Sequence, residues 1–219
     1  GPHAYDAVGD GTEHEPLVDR HGLAVAGVDV AAAGALGIGW HVGHRGVGRG
    51  RVDGHAPMVA RMGGMELRGS VRRDVPLLVV AMHEEAVQLD TGLPVLVTGP
   101  GKVRAATALA RLLATDRPSG VVNLGTAGGL RGGLDGVHEI GTVLQHDFDD
   151  PAIFELTGVH FGEPITLGPG PVLATGDRFV AGGPVREALA AQADLVDMEG
   201  YAVALACLEA GVPVRLVKL

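Results

Sequence analysis

Strand-length apolar runs that alternate with helical patterns constrain this chain more than any other feature. VPLLVVAM, from Val75 to Met82, is a continuous apolar run of the kind found in a strand buried on both faces of a sheet. LPVLVTGPGKVRAATALARLLAT follows as strand, glycine turn and helix, the helix carrying Val103, Ala106, Leu109, Ala110 and Leu113 on one stripe. VVNLGTAGGL is a further buried strand that runs into a glycine loop, GTVLQH (Gly141 to His146) a fourth, and PVLATGDRFV a fifth that ends in a polar turn. Val185 to Gln192 has helical character, and LVDMEG leads into a helix that Gly211 and Pro213 terminate beyond Ala210. VPVRLVKL closes the sequence as a strand. This order predicts an α/β domain over 75–219.

A chain of 219 residues with 46% apolar content and a mean hydropathy of +0.25 can bury a sizeable core. Cys207 is the single cysteine, so an internal disulfide framework and a multi-cysteine zinc site are excluded, and a reducing compartment is expected. Within its apolar helical pattern Cys207 reads as a small buried hydrophobe. The apolar segment Val30 to Trp40 is too short to span a bilayer and follows Asp29, and no basic region opens the chain. A cytoplasmic protein without membrane partners is expected. The net charge of −9 is uneven, with 8 basic and 9 acidic residues up to Asp74 but 9 and 17 from Val75 onward. An acidic body with no basic run argues against nucleic acid, because phosphate contacts need clustered Lys and Arg. Small molecules are the expected partners.

Residues 1–74 differ from the rest. They hold six of the ten histidines, with Gly-Arg and Gly-His pairs as in HVGHRGVGRGRVDGH, and no lasting period outside the Ala-rich patch at Val30 to Leu36. His41 and His44 tempt a metal reading but lack an acidic or cysteine partner in a ligand pattern. The composition also matches GC-rich sequence read from an upstream start, and little regular structure is expected before about Pro76.

Leu195 to Ala204, LVDMEGYAVA, places Asp197, Met198 and Glu199 at the seam of a strand and an apolar helix. Carboxylates enter such runs when something pairs with them, since an unpaired buried charge costs several kcal/mol or neutralises. Glu199 either meets a ligand such as a sugar diol or caps the helix. Gly99-Pro100-Gly101-Lys102 follows a strand and opens a helix, yet Arg104 stands where a dinucleotide fingerprint needs a third small residue, and the next strand ends in Asn123-Leu124-Gly125 without the required acid. No nicotinamide cofactor is expected. Gly125 to Gly129 either lets backbone N–H groups approach an anion or sugar or simply turns the chain. HDFDD, from His146 to Asp150, reads as a solvated loop in preference to a hard-metal cluster, no second carboxylate-rich segment being present.

VVNLGTAGGL, ATGDRFV and LVDMEGYAVA, in this order and at these separations, resemble the nucleoside phosphorylase and nucleosidase superfamily, nearest the 5′-methylthioadenosine/S-adenosylhomocysteine nucleosidases. The resemblance covers about Val75 to Leu219 and implies a three-layer α/β/α sandwich with a central mixed sheet, a homodimer, and no metal or organic cofactor. It further implies hydrolysis of a purine nucleoside at the N-ribosidic bond, through an oxocarbenium-like sugar. In that reading Glu85 activates water, Glu199 holds the ribose hydroxyls with Met198 against the sugar, Phe179 stacks on the base, backbone groups of Val180 read its edge, and Thr126 helps to orient the water. Asp177 shapes its turn and Tyr201 packs. Phe148, Ile153 and Phe154 are either loop packing or, from a neighbouring subunit, part of the pocket for the 5′ substituent. Phosphorylases of the superfamily carry a glycine-rich, arginine-bearing loop after the first strand, whereas His83-Glu84-Glu85 would repel phosphate. Hydrolysis is expected over phosphorolysis, with a phosphorylase or a catalytically silent nucleoside-binding protein as alternatives.

The sequence departs from the family in three places. Only Ala86 to Gly92 replaces the hairpin that relatives carry before the GxGK turn. Lys218 stands where the nucleosidases place an arginine beside the water, and the two are not interchangeable at a bidentate site. The family's Ser-Asp pair, whose aspartate protonates purine N7, falls just beyond Leu219, so a domain truncated at its C-terminus and short of its general acid is expected, an omission worth ~10²–10⁴ in rate.

Overall fold

The protein is described by a computed structural model over residues 59–62, 64–87, 89 and 91–219. In chain order the described elements are β1 (Val59–Met62), β2 (Met65–Arg68), β3 (Leu77–Val80), α1 (His83–Val87), β4 (Val95–Val97), α2 (Lys102–Leu113), β5 (Val121–Gly125) and β6 (Gly128–Gly129). There follow β7 (His138–Glu139), β8 (Thr142–Gln145), α3 (Asp150–Thr157), β9 (Ile165–Thr166), β10 (Val172–Thr175), α4 (Gly183–Ala190), β11 (Leu195–Asp197), α5 (Gly200–Ala210) and β12 (Val214–Lys218). The fold is α/β, as the alternation of runs predicts, with mixed sheets, as the resemblance implies. Its strands are shared between a seven-stranded sheet, ordered β1-β2-β4-β3-β5-β12-β7, and a five-stranded sheet, ordered β6-β11-β10-β8-β9.

The continuous apolar runs are explained by burial on both faces of the larger sheet. Leu77 and Val79 point to one side with Leu96 and Val121, where α2 and α5 pack through Leu109, Leu112, Val203 and Ala204. Leu78 and Val80 point to the other with Val95, Val97 and Val122, beneath Ala86 of α1 and Leu89. Period-2 alternation of side chains sends each apolar residue into one of two cores, so no polar position is needed within these strands. A smaller core forms where α4 covers the second sheet, with Leu189 and Ala193 against Ala174 and Val196. Helix α5 packs on strands of both sheets, which is why its sequence is apolar almost all round. Cys207 lies fully buried in it, and burial pushes the thiol up to about 12, so it behaves as a core residue.

The sheet begins earlier than Val75. β2 pairs antiparallel with β4 and β1 pairs antiparallel with β2, so the expectation of little regular structure before Pro76 fails at these two strands. Neither lies in a longer apolar run of the kind that marks β3, itself only four residues long. His41, His44, the Ala-rich patch and the other features of 1–58 lie outside the described residues. Of the segment Ala86 to Gly92 that replaces the relatives' hairpin, Ala86 and Val87 close α1, a short helix just after β3. HDFDD becomes the lead-in to α3, with Asp149 as its N-cap, accepting from the Ala152 N–H at 3.2 Å, and Pro151 in its first turn.

Candidate active site

Parallel pairing aligns the carboxyl ends of the strands. β3, β5 and β12 run parallel, with Lys218 opposite Gly125, and β8, β10 and β11 run parallel, with Gln145, Thr175 and Asp197 in one row. Ligands of open α/β sheets collect at such ends. Here the segments leaving β3, β5, β10 and β11 surround a cavity of 460 Å³, large enough for a small organic molecule. Glu85, Thr126, Phe179, Val180, Met198 and Glu199 all line it, six of the seven site residues read from the sequence.

Glu85 stands in α1, 8% exposed, and its carboxylate is held by backbone donors alone. The N–H groups of Ala81 and Met82 each donate to Oε2 at 3.0 Å, and Thr126 N–H donates to Oε1 at 3.3 Å. Gly125 makes the last contact possible, since a Cβ there would sit 3.0 Å from Oε1. Thr126 thereby acts on Glu85 through its backbone, while its side chain is exposed at the cavity.

Glu199, 9% exposed, is the N-cap residue of α5, yet its side chain makes no capping bond. It reaches across to the glycine turn instead, where Gly101 N–H donates to Oε1 at 2.8 Å. Gly101 has φ +96°, and a Cβ on it would lie 3.0 Å from Asp177 Oδ1, so glycine is required there on two counts. Burial raises the Glu199 pKa, the Gly101 N–H opposes the rise, and the nearby Asp197 and Glu85 add to it. The capping reading therefore belongs to Asp197, whose Oδ2 accepts from Gly200 N–H at 2.8 Å.

Asp197 and Lys218 form the floor. Lys218 Nζ lies 2.8 Å from Asp197 Oδ2 and donates to Asn123 Oδ1 at 2.7 Å, and the ammonium is 1% exposed. Thr175 Oγ1 donates to Asp197 Oδ1 at 2.6 Å and accepts from Tyr201 N–H at 3.0 Å. Lys218 thus sits behind the cavity wall as the counter-ion of Asp197, and the position expected to touch substrate holds a structural cation. The signal was present in β12, where Lys218 shares the face of buried Leu216 and so needs a buried partner. Phe148, Ile153 and Phe154 do not line this cavity; Phe148 packs by Gly162 and Phe154 stacks on His160 with centroids 4.0 Å apart.

Two features of the rim go beyond the sequence reading, which has Asp177 only shaping its own turn. Asp177 accepts from Lys102 N–H at 2.7 Å, capping α2, and its own N–H donates to Asp147 Oδ2 at 2.8 Å. Lys102 Nζ in turn donates to Asp147 at 2.5 Å and Gln145 at 3.0 Å. Burial would push the Asp147 carboxyl up, but the Lys102 ammonium and the Asp177 N–H hold it low. This lattice locks the Gly99–Lys102 turn to the Thr175–Phe179 turn. Arg178, on the latter, is the second feature, an exposed cation on the cavity lining. Among the described residues no group of three or more His, Cys, Asp or Glu side chains could hold a metal ion, and no helix is long and apolar enough to cross a membrane.

No protein-family model matches the sequence, and no curated protein matches it. Solved structures do resemble the described fold. The S-adenosylhomocysteine nucleosidase of Streptococcus pyogenes is 24% identical over 65% of this chain and 80% of that one, with a TM-score of 0.56. An MTA/SAH nucleosidase of Streptococcus pneumoniae is 25% identical over 65% and 83%, with a TM-score of 0.53. The futalosine hydrolase of Helicobacter pylori is 21% identical over 65% and 82%, with a TM-score of 0.57. The chain has the fold of the nucleoside phosphorylase/nucleosidase superfamily, and nucleosidases are among its structural neighbours.

Proposed function

We propose that this protein hydrolyses the N-ribosidic bond of a purine nucleoside of the 5′-methylthioadenosine/S-adenosylhomocysteine kind, releasing the free base and the ribose derivative. The observation that carries the proposal is the convergence of two buried carboxylates, Glu85 and Glu199, on one cavity whose lining also presents Phe179, 79% exposed. An exposed aromatic ring beside a cavity is a platform for a flat base. Two carboxylates on the same cavity suit a sugar that gains positive charge as the bond to the base breaks.

In this reading the carboxylate of Glu85, oriented by three backbone N–H groups, takes a proton from the attacking water. Glu199 has one oxygen engaged by Gly101, and the other accepts from the ribose diol. Met198, half-buried on the same lining, packs against the sugar, and Val180 offers backbone groups to the base edge. Three carboxylates line the cavity, those of Glu85, Asp197 and Glu199, a poor setting for a phosphate nucleophile and a tolerable one for neutral water. Hydrolysis is favoured on that ground.

We also propose a cytoplasmic homodimer. The groove between α2 and α5 has a volume of 770 Å³ and a floor of small residues such as Ala106, Ala110 and Ala206, and Val103, Leu205 and Leu208 are exposed on those helices. Light scattering on the purified protein tests it, and a monomer at micromolar concentration would sink it.

The function is tested by base release from 5′-methylthioadenosine, S-adenosylhomocysteine, adenosine and inosine, with and without phosphate. Release that is indifferent to phosphate and lost in Glu85→Gln supports hydrolysis. Release only with phosphate points to a phosphorylase, and binding without release to a nucleoside-binding protein.

A further inference from the structure

We infer that Asp147 is a positioning residue that keeps the two ligand contacts of the cavity, the diol contact at Glu199 and the base platform at Phe179, at a fixed separation. The inference rests on the nucleoside reading above. Among the described residues Glu199 has a single hydrogen-bond donor, Gly101 N–H at 2.8 Å, so the direction of its carboxylate depends on where that N–H stands. Nothing local fixes the donor. Gly99 and Gly101 have φ of +81° and +96°, in the permissive region open to glycine, and Gly101, the N-cap of α2, has no side chain with which to cap the helix.

The turn is fixed from outside. Asp177 Oδ1 accepts from Lys102 N–H at 2.7 Å, the donor next along the chain from Gly101. Asp147 closes a ring, its Oδ1 accepting from Lys102 Nζ at 2.5 Å and its Oδ2 from Asp177 N–H at 2.8 Å. Lys102 follows β4 of the larger sheet, whereas Asp147 and Asp177 follow β8 and β10 of the smaller one, so the ring ties a turn of one sheet to two strand ends of the other. Pro100 and Phe179, from the two turns so joined, both line the cavity. Asp147 spends one oxygen on each side of the joint, and an asparagine, with one acceptor and a donor in place of the other, cannot serve both. The Lys102 and Asp147 side chains are 17% and 26% exposed, so a substitution there loosens the turns without opening a core. An ion pair at the surface contributes modestly to stability, while placement of ligand contacts governs binding and rate, so the effect belongs to the site more than to the fold.

The test follows Asp147→Asn, Lys102→Met and Lys102→Arg by two readouts. The first needs no ligand and is amide hydrogen exchange at Gly101, with Thr126, whose N–H serves Glu85, as internal control. Gly101 should exchange roughly tenfold faster in Asp147→Asn and Lys102→Met and near the wild-type rate in Lys102→Arg, with Thr126 unchanged throughout. The second compares, by calorimetry, 5′-methylthioadenosine, its 2′,3′-dideoxy analogue and free adenine. The wild type should prefer the diol by about tenfold, and the preference should fall to about threefold in Asp147→Asn and Lys102→Met and recover in Lys102→Arg. Adenine alone should bind wild type and Asp147→Asn within about twofold, because what is lost is the spacing between contacts. Gly101 protection that is unchanged in Asp147→Asn, or a diol preference that survives both Asp147→Asn and Lys102→Met, overturns the inference. So does faster exchange at Gly101 and Thr126 alike, which would make the ring a general brace, or a loss of adenine binding as large as that of the nucleoside. A wild type that binds the nucleoside and its dideoxy analogue equally, or neither, defeats the nucleoside reading of Glu199, and exchange at Gly101 then decides whether Asp147 sets the turn.

Discussion

Asp197 and Glu199 leave the end of the same strand with one residue between them, yet the floor and the wall of the cavity accommodate their charges by different means. On the floor, Asp197 has a buried cation in Lys218 and hydrogen bonds from Thr175 Oγ1 and Gly200 N–H, so both its oxygens are engaged. On the wall, Glu199 has a single backbone donor from a turn 98 residues away, and Glu85 has only backbone donors. A buried carboxylate neutralised by a buried cation marks a structural part, while one held only by neutral backbone donors keeps its charge toward the cavity for a ligand. The difference can be read by substitution, because floor and wall should fail in different assays.

The largest effect is expected at the floor. Lys218→Met leaves Asp197 buried without its cation and should cost about 3–5 kcal/mol of stability, read from urea unfolding. Adding Asp197→Asn should recover much of the loss, and a Lys218→Met midpoint equal to wild type would break the contrast. On the wall, Glu85→Gln should slow base release by ~10²–10⁴ while the unfolding midpoint stays close to that of the wild type. Coincident loss of fold would instead place Glu85 with the floor.

Phe179→Ala sharpens the contrast further, since removing a side chain that is 79% exposed should leave stability within about 0.5 kcal/mol and weaken nucleoside binding by about 1–3 kcal/mol. Calorimetric titration and thermal melting separate the two.

The smallest effect concerns pH. Burial raises the folded pKa of Glu199 above its ordinary value of 4.5, so between the two values the native state binds more protons than the unfolded one and stability falls as pH rises. Glu199→Gln should therefore melt at a higher temperature than wild type near pH 7, and the gap should close below about pH 4, where the wild-type carboxyl is protonated in both states. A gap that is constant across this range would mean that ionisation of Glu199 costs the fold nothing. Loss of base release together with the higher melting point would be the signature of a strained functional group.

Much of this architecture is legible in the sequence because local patterns dictate it. Period and run length mark β3, β4, β5 and β12 as strands, the glycine turn and apolar stripe mark α2, and Gly211 with φ +63° ends α5 where a C-terminal glycine should. The short strands β1, β2, β6, β7 and β9 are not legible, since, unlike β3 and β4, their two to four residues lie in no longer apolar run. Six candidate site residues share a cavity because each sits just past a parallel strand, and parallel pairing puts those ends together.

The sequence by itself determined the order of the longer strands and helices, the acidic character of the domain and which side chains stand at the ends of those strands. Only the tertiary structure decided which carboxylate is neutralised. Asp197 and Glu199 are chemically similar and separated by one residue, and nothing local distinguishes them. The distinction comes from what packing brings close, Lys218 from β12 to one and Gly101 from the α2 turn to the other. A buried charge answers to neighbours within a few ångströms, and in a crossover fold those neighbours come from distant parts of the chain.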